Sequence, residues 1–218
     1  MVLAASAGNA GRGPVTDTMF TVFIVDDDAR VINALSRLMR VHGYDAQSYT
    51  SPREFLAHHD ATIPGCAVLD VAMPGLNGLE LQQALTAEGA QRPIIFITGK
   101  GDIPTSVRAM KAGALDFLTK PVSNEKLLEA IARAEERDAE SRQILTELAA
   151  IRARMATLTP REREVLIHVV AGQLNKQIAY DLGTVEKTVK FHRGAMMRKL
   201  GVRTVADLVR LAQKAGIS

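Results

Sequence analysis

Residues 20–28 read FTVFIVDDD, a short apolar run from Phe20 to Val25 that closes on the acids Asp26 and Asp27. The same pattern recurs down the chain: Asp70 follows Ala67 to Leu69, Thr98 follows Ile94 to Ile97, and Lys120 follows the run Ala114 to Leu118. In an open α/β sheet a site forms outside the carboxyl ends of the parallel strands, so these groups are expected to converge in one crevice. Three acids, a hydroxyl and an ammonium form a complete set for magnesium-dependent phosphoryl transfer to a carboxylate. The pattern points to a phosphorylated aspartate as a signal.

Outward from those residues, apolar runs at 20–25, 66–69, 94–98 and 114–118, with a further strand read at 45–49, alternate with segments of helical periodicity, which predicts a parallel sheet flanked by helices. Helix starts are marked locally, as at Ser51, Pro52 and Glu54, which supply an N-cap, a first-turn proline and an N3 acid. Pro74, Gly75, Asn77 and Gly78 mark a loop after Asp70. The expected fold is a five-stranded doubly wound α/β domain.

Length and charge divide the chain. At 218 residues two ordinary domains fit better than one large one. Residues 1–156 hold 16 Lys/Arg against 19 Asp/Glu, whereas residues 157–218 hold 11 against 5, making the second part a nucleic-acid candidate. The single cysteine, Cys66, lies in an apolar stretch and reads as a small buried hydrophobe suited to a reducing cytoplasm. No apolar run approaches the roughly 20 residues that span a bilayer, and residues 1–19, rich in Ala, Gly and Ser, read as a disordered tail with no assigned function. A cytoplasmic protein without a membrane partner is expected.

The strings IVDDD (24–28), VLDVAMPGLNG (68–78), FITGKGD (96–102) and MKAGALDFLTKP (110–121) together resemble the receiver domain of bacterial two-component response regulators, within them the FixJ, TodT and StyR group. The resemblance implies a flavodoxin-like receiver over residues 20–123, with Asp70 as the phosphoacceptor that attacks a phosphohistidine or a small acyl phosphate. It implies Mg²⁺ held by Asp27, Asp70 and the backbone carbonyl of Ala72, with Asp26 acting through a metal-bound water. It also implies Lys120 and Thr98 on phosphoryl oxygens and a cis peptide before Pro121. Phe117 falls at the family's aromatic switch position, where a ring rotates inward once Thr98 turns to the phosphate; a plain core Phe is the alternative. Lys100, two residues after Thr98, is expected to affect the lifetime of the acyl phosphate.

Residues 124–156 contain no Gly or Pro and read as one linker helix. Ile144, Leu148, Ile151, Met155 and Leu158 recur at a 3.5-residue period over about two heptads. Contact with a partner helix, packing on a domain and a solvated lever all remain open for that stripe.

Residues 157–218 carry four helix signals: Thr159, Pro160 and Glu162 as a capping box, a short helix at 175–181 turned at Gly183, one at 186–200, and one capped by Thr204. The strings LTPREREVL, NKQIAYDLG and KTVKFHRGAMMRKLGV resemble the LuxR-type helix-turn-helix module. By helical geometry Val189, Met196 and Leu200 face Ile178 and Leu182, while Lys187, Thr188, Lys190, Phe191 and Arg193 are candidates for DNA. Lys190 and Phe191 are placed on base edges, Lys176, Arg193 and Lys199 on phosphates. A core-facing Phe191, and Lys187 and Lys199 as solvated charges, are the alternatives. Leu174 and Val185 stand where the family has small hydroxyl residues, and a missing cap costs about 1 kcal/mol.

The expectation is a response regulator, phosphorylated by a sensor histidine kinase, that binds promoter DNA as a homodimer and activates transcription with RNA polymerase as a further partner. Its receiver catalyses only its own phosphoryl transfer and dephosphorylation, so it is not an enzyme; a phosphatase or mutase would need a second acid where Ala72 stands. A regulator whose receiver is only a dimerisation scaffold is the alternative. Coupling by receiver dimerisation and by release of the recognition helix both remain open.

Overall fold

In a computed structural model, residues 19–89, 91–99 and 103–217 are described. Except for Met19, the expected tail at 1–19 lies outside them, as does Lys100. The chain divides between Ser141 and Arg142 into two compact units.

The first unit is built on a five-stranded sheet in the order β2-β1-β3-β4-β5, with every pairing parallel. The strands are β1 (Thr21–Val25), β2 (Asp45–Tyr49), β3 (Gly65–Asp70), β4 (Ile94–Thr98) and β5 (Asp116–Thr119). Successive strand side chains point to opposite faces, and both faces are covered. Val22, Ile24, Val68, Ile95 and Ile97 pack with Ile32, Leu35 and Met39 of α1 (Ala29–Val41) and Leu127 and Ile131 of α5 (Asn124–Ala156). Phe23, Val25, Leu69 and Phe96 pack on the other face with Phe55 of α2 (Pro52–His58), Leu81 and Leu85 of α3 (Gly78–Ala87) and Ala109 of α4 (Ile103–Lys111). Burial on both faces explains why the central strands are continuous apolar runs rather than alternating ones. Cys66 is fully buried, which pushes its thiol up to about 12 and leaves it inert at neutral pH.

The last strand begins two residues later than the apolar run suggested. Ala114 donates its N–H to the carbonyl of Ala109, closing the end of α4, and the sheet register begins with Asp116 opposite Ile95.

The second unit contains four short helices after the end of α5: α6 (Pro160–Val170), α7 (Asn175–Asp181), α8 (Glu186–Leu200) and α9 (Val205–Lys214). Thr159 and Glu162 form the expected reciprocal capping box on α6, and Thr204 and Asp207 form a second on α9. Val189, Met196 and Leu200 are buried with Ile178, as the helical spacing predicts. Ile151, Met155 and Leu158 are buried in the same core, so the lower half of the heptad stripe packs on its own domain, while Ile144 remains 57% exposed. Val185 and Leu174 stand at the N-caps of α8 and α7, and neither side chain makes a capping hydrogen bond. Among the described residues no helix is long and apolar enough to cross a membrane.

Candidate phosphoryl and nucleic-acid sites

Strand register assembles the first site. Val25 lies opposite Leu69, so Asp26 leaves β1 beside Asp70 of β3. Asp70 lies opposite Ile97, and Thr98 lies opposite Thr119, so Thr98 and Lys120 follow at the same edge. The Lys120 ammonium donates to Asp26 Oδ2 at 2.7 Å and to Asp70 Oδ1 at 2.8 Å. Asp26 is 1% exposed and Asp70 4%, so two nearly buried carboxylates share one cation. Burial pulls the Lys120 ammonium down, but its hydrogen bonds to Asp26 and Asp70 and their negative charges outweigh that and hold it above the ordinary lysine value. The Lys120–Pro121 peptide is cis, and the Lys120 N–H donates to the Thr98 carbonyl at 2.7 Å.

Local bonds fix the remaining acids. Asp70 Oδ2 accepts from the Ala72 N–H at 2.6 Å, and Asp26 Oδ1 accepts from the Asp28 N–H at 2.8 Å. Asp28 caps α1 through the Arg30 N–H and pairs with the Arg30 guanidinium, hydrogen bonds that lower its carboxyl to about 2. The third acid of IVDDD is therefore structural. Asp27 is exposed. Among the described residues no three His, Cys, Asp or Glu side chains close on one point, and Asp26 and Asp70 both pair with Lys120. Thr98 is buried, and Phe117 is half-buried against the Phe96 ring, with centroids 6.2 Å apart.

Two residues near this site were not singled out for it from sequence. Gly78 opens α3 directly over the phosphoacceptor: a β-carbon there would overlap the Asp70 carbonyl oxygen and crowd the Phe96 ring. Gln82, one turn further on, is buried and donates its amide to the carbonyls of Ala109 and Ala112, holding the C-terminal end of α4. A small cleft beside it, about 280 Å³, is lined by Asn77, Glu80 and Arg108.

The second site is the surface of α7 and α8. Gly183, at φ +58°, makes the turn between them. Lys176, Lys187 and Lys190 are exposed, Thr188 is half-buried, and Phe191 is 68% exposed, so the core-facing alternative for Phe191 does not hold. Lys190 pairs with Glu186 at 3.0 Å on the open helix surface, a contact weak enough to yield to a phosphate or a base. Arg193 donates to Asn175 Oδ1 at 2.9 Å, tying α8 to the start of α7. Lys199, expected on a phosphate or as a solvated charge, is exposed and ion-paired. Its ammonium is held by the Glu162 carboxylate at 2.6 Å and donates to the Thr157 carbonyl at 3.2 Å, which makes it an internal tie between α8 and the start of α6.

Residues 22–132 match the response regulator receiver domain, and residues 156–212 match the luxR family of bacterial regulatory proteins. Nodulation protein W of Bradyrhizobium diazoefficiens is 43% identical over 210 residues, covering 95% of this chain and 92% of that protein. Response regulator protein TodT of Pseudomonas putida is 42% identical, covering 94% and 90%. Among solved structures, the response regulator StyR aligns with a TM-score of 0.79 at 45% identity, over 90% of this chain and 99% of that one.

Proposed function

The chain belongs to the two-component response regulators that join a receiver domain to a luxR-family DNA-binding domain, and from that premise we propose that phosphorylation of Asp70 by a sensor histidine kinase controls its binding to promoter DNA. The observation that carries the reading is the Lys120 ammonium bridging Asp26 and Asp70 at the carboxyl edge of the sheet. In this reading residues 20–123 are the receiver, 124–156 the linker helix and 157–218 the DNA-binding domain of a cytoplasmic activator.

An Asp70 carboxylate oxygen attacks phosphorus as the phosphorus–nitrogen bond to the kinase histidine breaks, leaving an acyl phosphate on Asp70. Lys120 passes from the carboxylate to a phosphoryl oxygen, and the Thr98 hydroxyl turns to another. Asp26, Asp27, Asp70 and the Ala72 carbonyl offer only hard oxygen donors, the kind Mg²⁺ takes, and that ion keeps several waters, so a closed protein cage is not required. Mg²⁺, when bound, neutralises charge on the phosphoryl oxygens. Movement of Thr98 opens space beside the half-buried Phe117, whose ring packs on the same core as Ala109 of α4.

On the output side, Lys176, Arg193 and Lys199 are read as phosphate contacts and Lys190 and Phe191 as base-edge contacts, Phe191 suiting thymine methyl groups, with Lys187 and Thr188 on the same helix as further candidates. A two-fold dimer would read half-sites about one helical turn apart. The test is affinity for a duplex selected from a random-sequence pool, with and without acetyl phosphate and Mg²⁺. Phosphorylation-dependent binding by wild type and none by Asp70→Asn supports the reading; equal binding in all cases supports the scaffold alternative.

A further inference from the structure

The recognition helix ends at an exposed C-cap, Gly201, with the Leu200 side chain buried before it. The last carbonyls of a helix have no partner within it, and at the end of α8 the Leu200 carbonyl accepts from Arg154 Nη1 at 3.1 Å. Arg154 lies in the last turn of α5, and its guanidinium sits against Gly201, the left-handed C-cap of α8 at φ +69°. A cation at that end also complements the helix dipole. Arg154 is exposed, but the turn that carries it is anchored: Ile151 and Met155, on either side in sequence, are buried in the core that contains Leu200, and the Arg154 Nε donates to the Ala150 carbonyl at 3.4 Å. Beside it, Lys199 of α8 donates to the Thr157 carbonyl and to Glu162, just past the end of α5.

We propose that Arg154 is a positioning residue for DNA recognition: it sets where the recognition helix sits by holding its C-terminal end to the last turn of the linker helix, without touching DNA itself. This rests on α8 being the recognition helix. A helix held at this end and through Arg193–Asn175 near its middle presents Lys190 and Phe191 at a fixed depth and angle. Loosening the C-terminal hold lets that face tilt, which weakens contacts to base edges that need exact placement more than contacts to phosphates.

The experiment uses full-length protein treated with acetyl phosphate and Mg²⁺, the duplex selected by wild type, and a scrambled duplex of equal length. Arg154→Met is expected to lose about tenfold in affinity for the selected duplex, the scale of one charge-assisted hydrogen bond. Affinity for the scrambled duplex and the salt slope should stay at wild-type values, and Arg154→Lys should recover part of the loss. Unchanged binding of the selected duplex overturns the proposal. An equal loss on both duplexes with the salt slope reduced by about one also overturns it, since that marks a phosphate contact. Hydrogen exchange at Leu166 and Val169 identifies a variant that has lost its fold, and Arg154→Lys then decides alone. Phe191→Ala separates the two readings: if it leaves the selected duplex bound as before, α8 is not the recognition helix and the proposal falls with it.

Discussion

The Lys120 ammonium donates to the Asp70 carboxylate at 2.8 Å across fifty residues of sequence, and to Asp26 as well. One cation serves two nearly buried acids. Lys120→Met should therefore leave two close carboxylates without a counter-charge and destabilise the receiver by about 2–3 kcal/mol, reduced from the fully buried case because Lys120 is partly exposed. Urea unfolding of the full chain, followed by tyrosine fluorescence, measures this. Adding Asp26→Asn should return part of the loss, because it removes one of the two repelling charges.

Gly78→Ala should be disruptive although the glycine has an ordinary backbone conformation. The new methyl group would meet the Asp70 carbonyl oxygen, so either α3 or the phosphoacceptor strand must shift. A loss of about 1–3 kcal/mol is expected, together with slower phosphoryl incorporation from acetyl phosphate. Wild-type incorporation at reduced stability would separate packing from positioning of Asp70.

The Glu162–Lys199 pair makes the DNA-binding domain sensitive to acid. The hydrogen bond from Lys199 holds the Glu162 carboxyl below its ordinary 4.5. A carboxyl depressed by folding contributes stability above its unfolded value and loses it as pH falls through the folded value. Amides at 159–165 should then exchange faster as pH drops below about 4.5, after correction for the intrinsic rate. Glu162→Gln should flatten that dependence.

Val185→Ser should stabilise the domain by about 1 kcal/mol by giving α8 the side-chain cap it lacks. The melting temperature of the DNA-binding domain, followed by Tyr180 fluorescence, is the measurement. No gain would mean that the Val185 backbone does not present a serine hydroxyl to the first turn.

Much of this was legible in sequence for local reasons. Apolar runs place β1, β3, β4 and β5, and the acid, hydroxyl or ammonium after each run lies at one sheet edge because parallel strands share a direction. The capping residues Thr159 and Thr204 announce their helices within four residues. Gly78, Gln82 and Arg154 were hidden for the opposite reason: each acts on a partner supplied by another element, the Asp70 carbonyl, the end of α4 and the end of α8. Lys199 reads as one more surface cation until Glu162, 37 residues away, is seen beneath it. Ile151 and Met155 fit a coiled-coil period as well as a domain core, and only tertiary packing separates the two.

Whether Asp70 is the switch is decided by intact-mass measurement of wild type and Asp70→Asn after incubation with Mg²⁺ and acetyl phosphate or phosphoramidate, with oligomeric state read on the same samples. Wild type alone should gain one phosphoryl group, released by hydroxylamine as an acyl phosphate would be. An adduct of equal yield on Asp70→Asn, or none on wild type with either donor, would contradict that assignment.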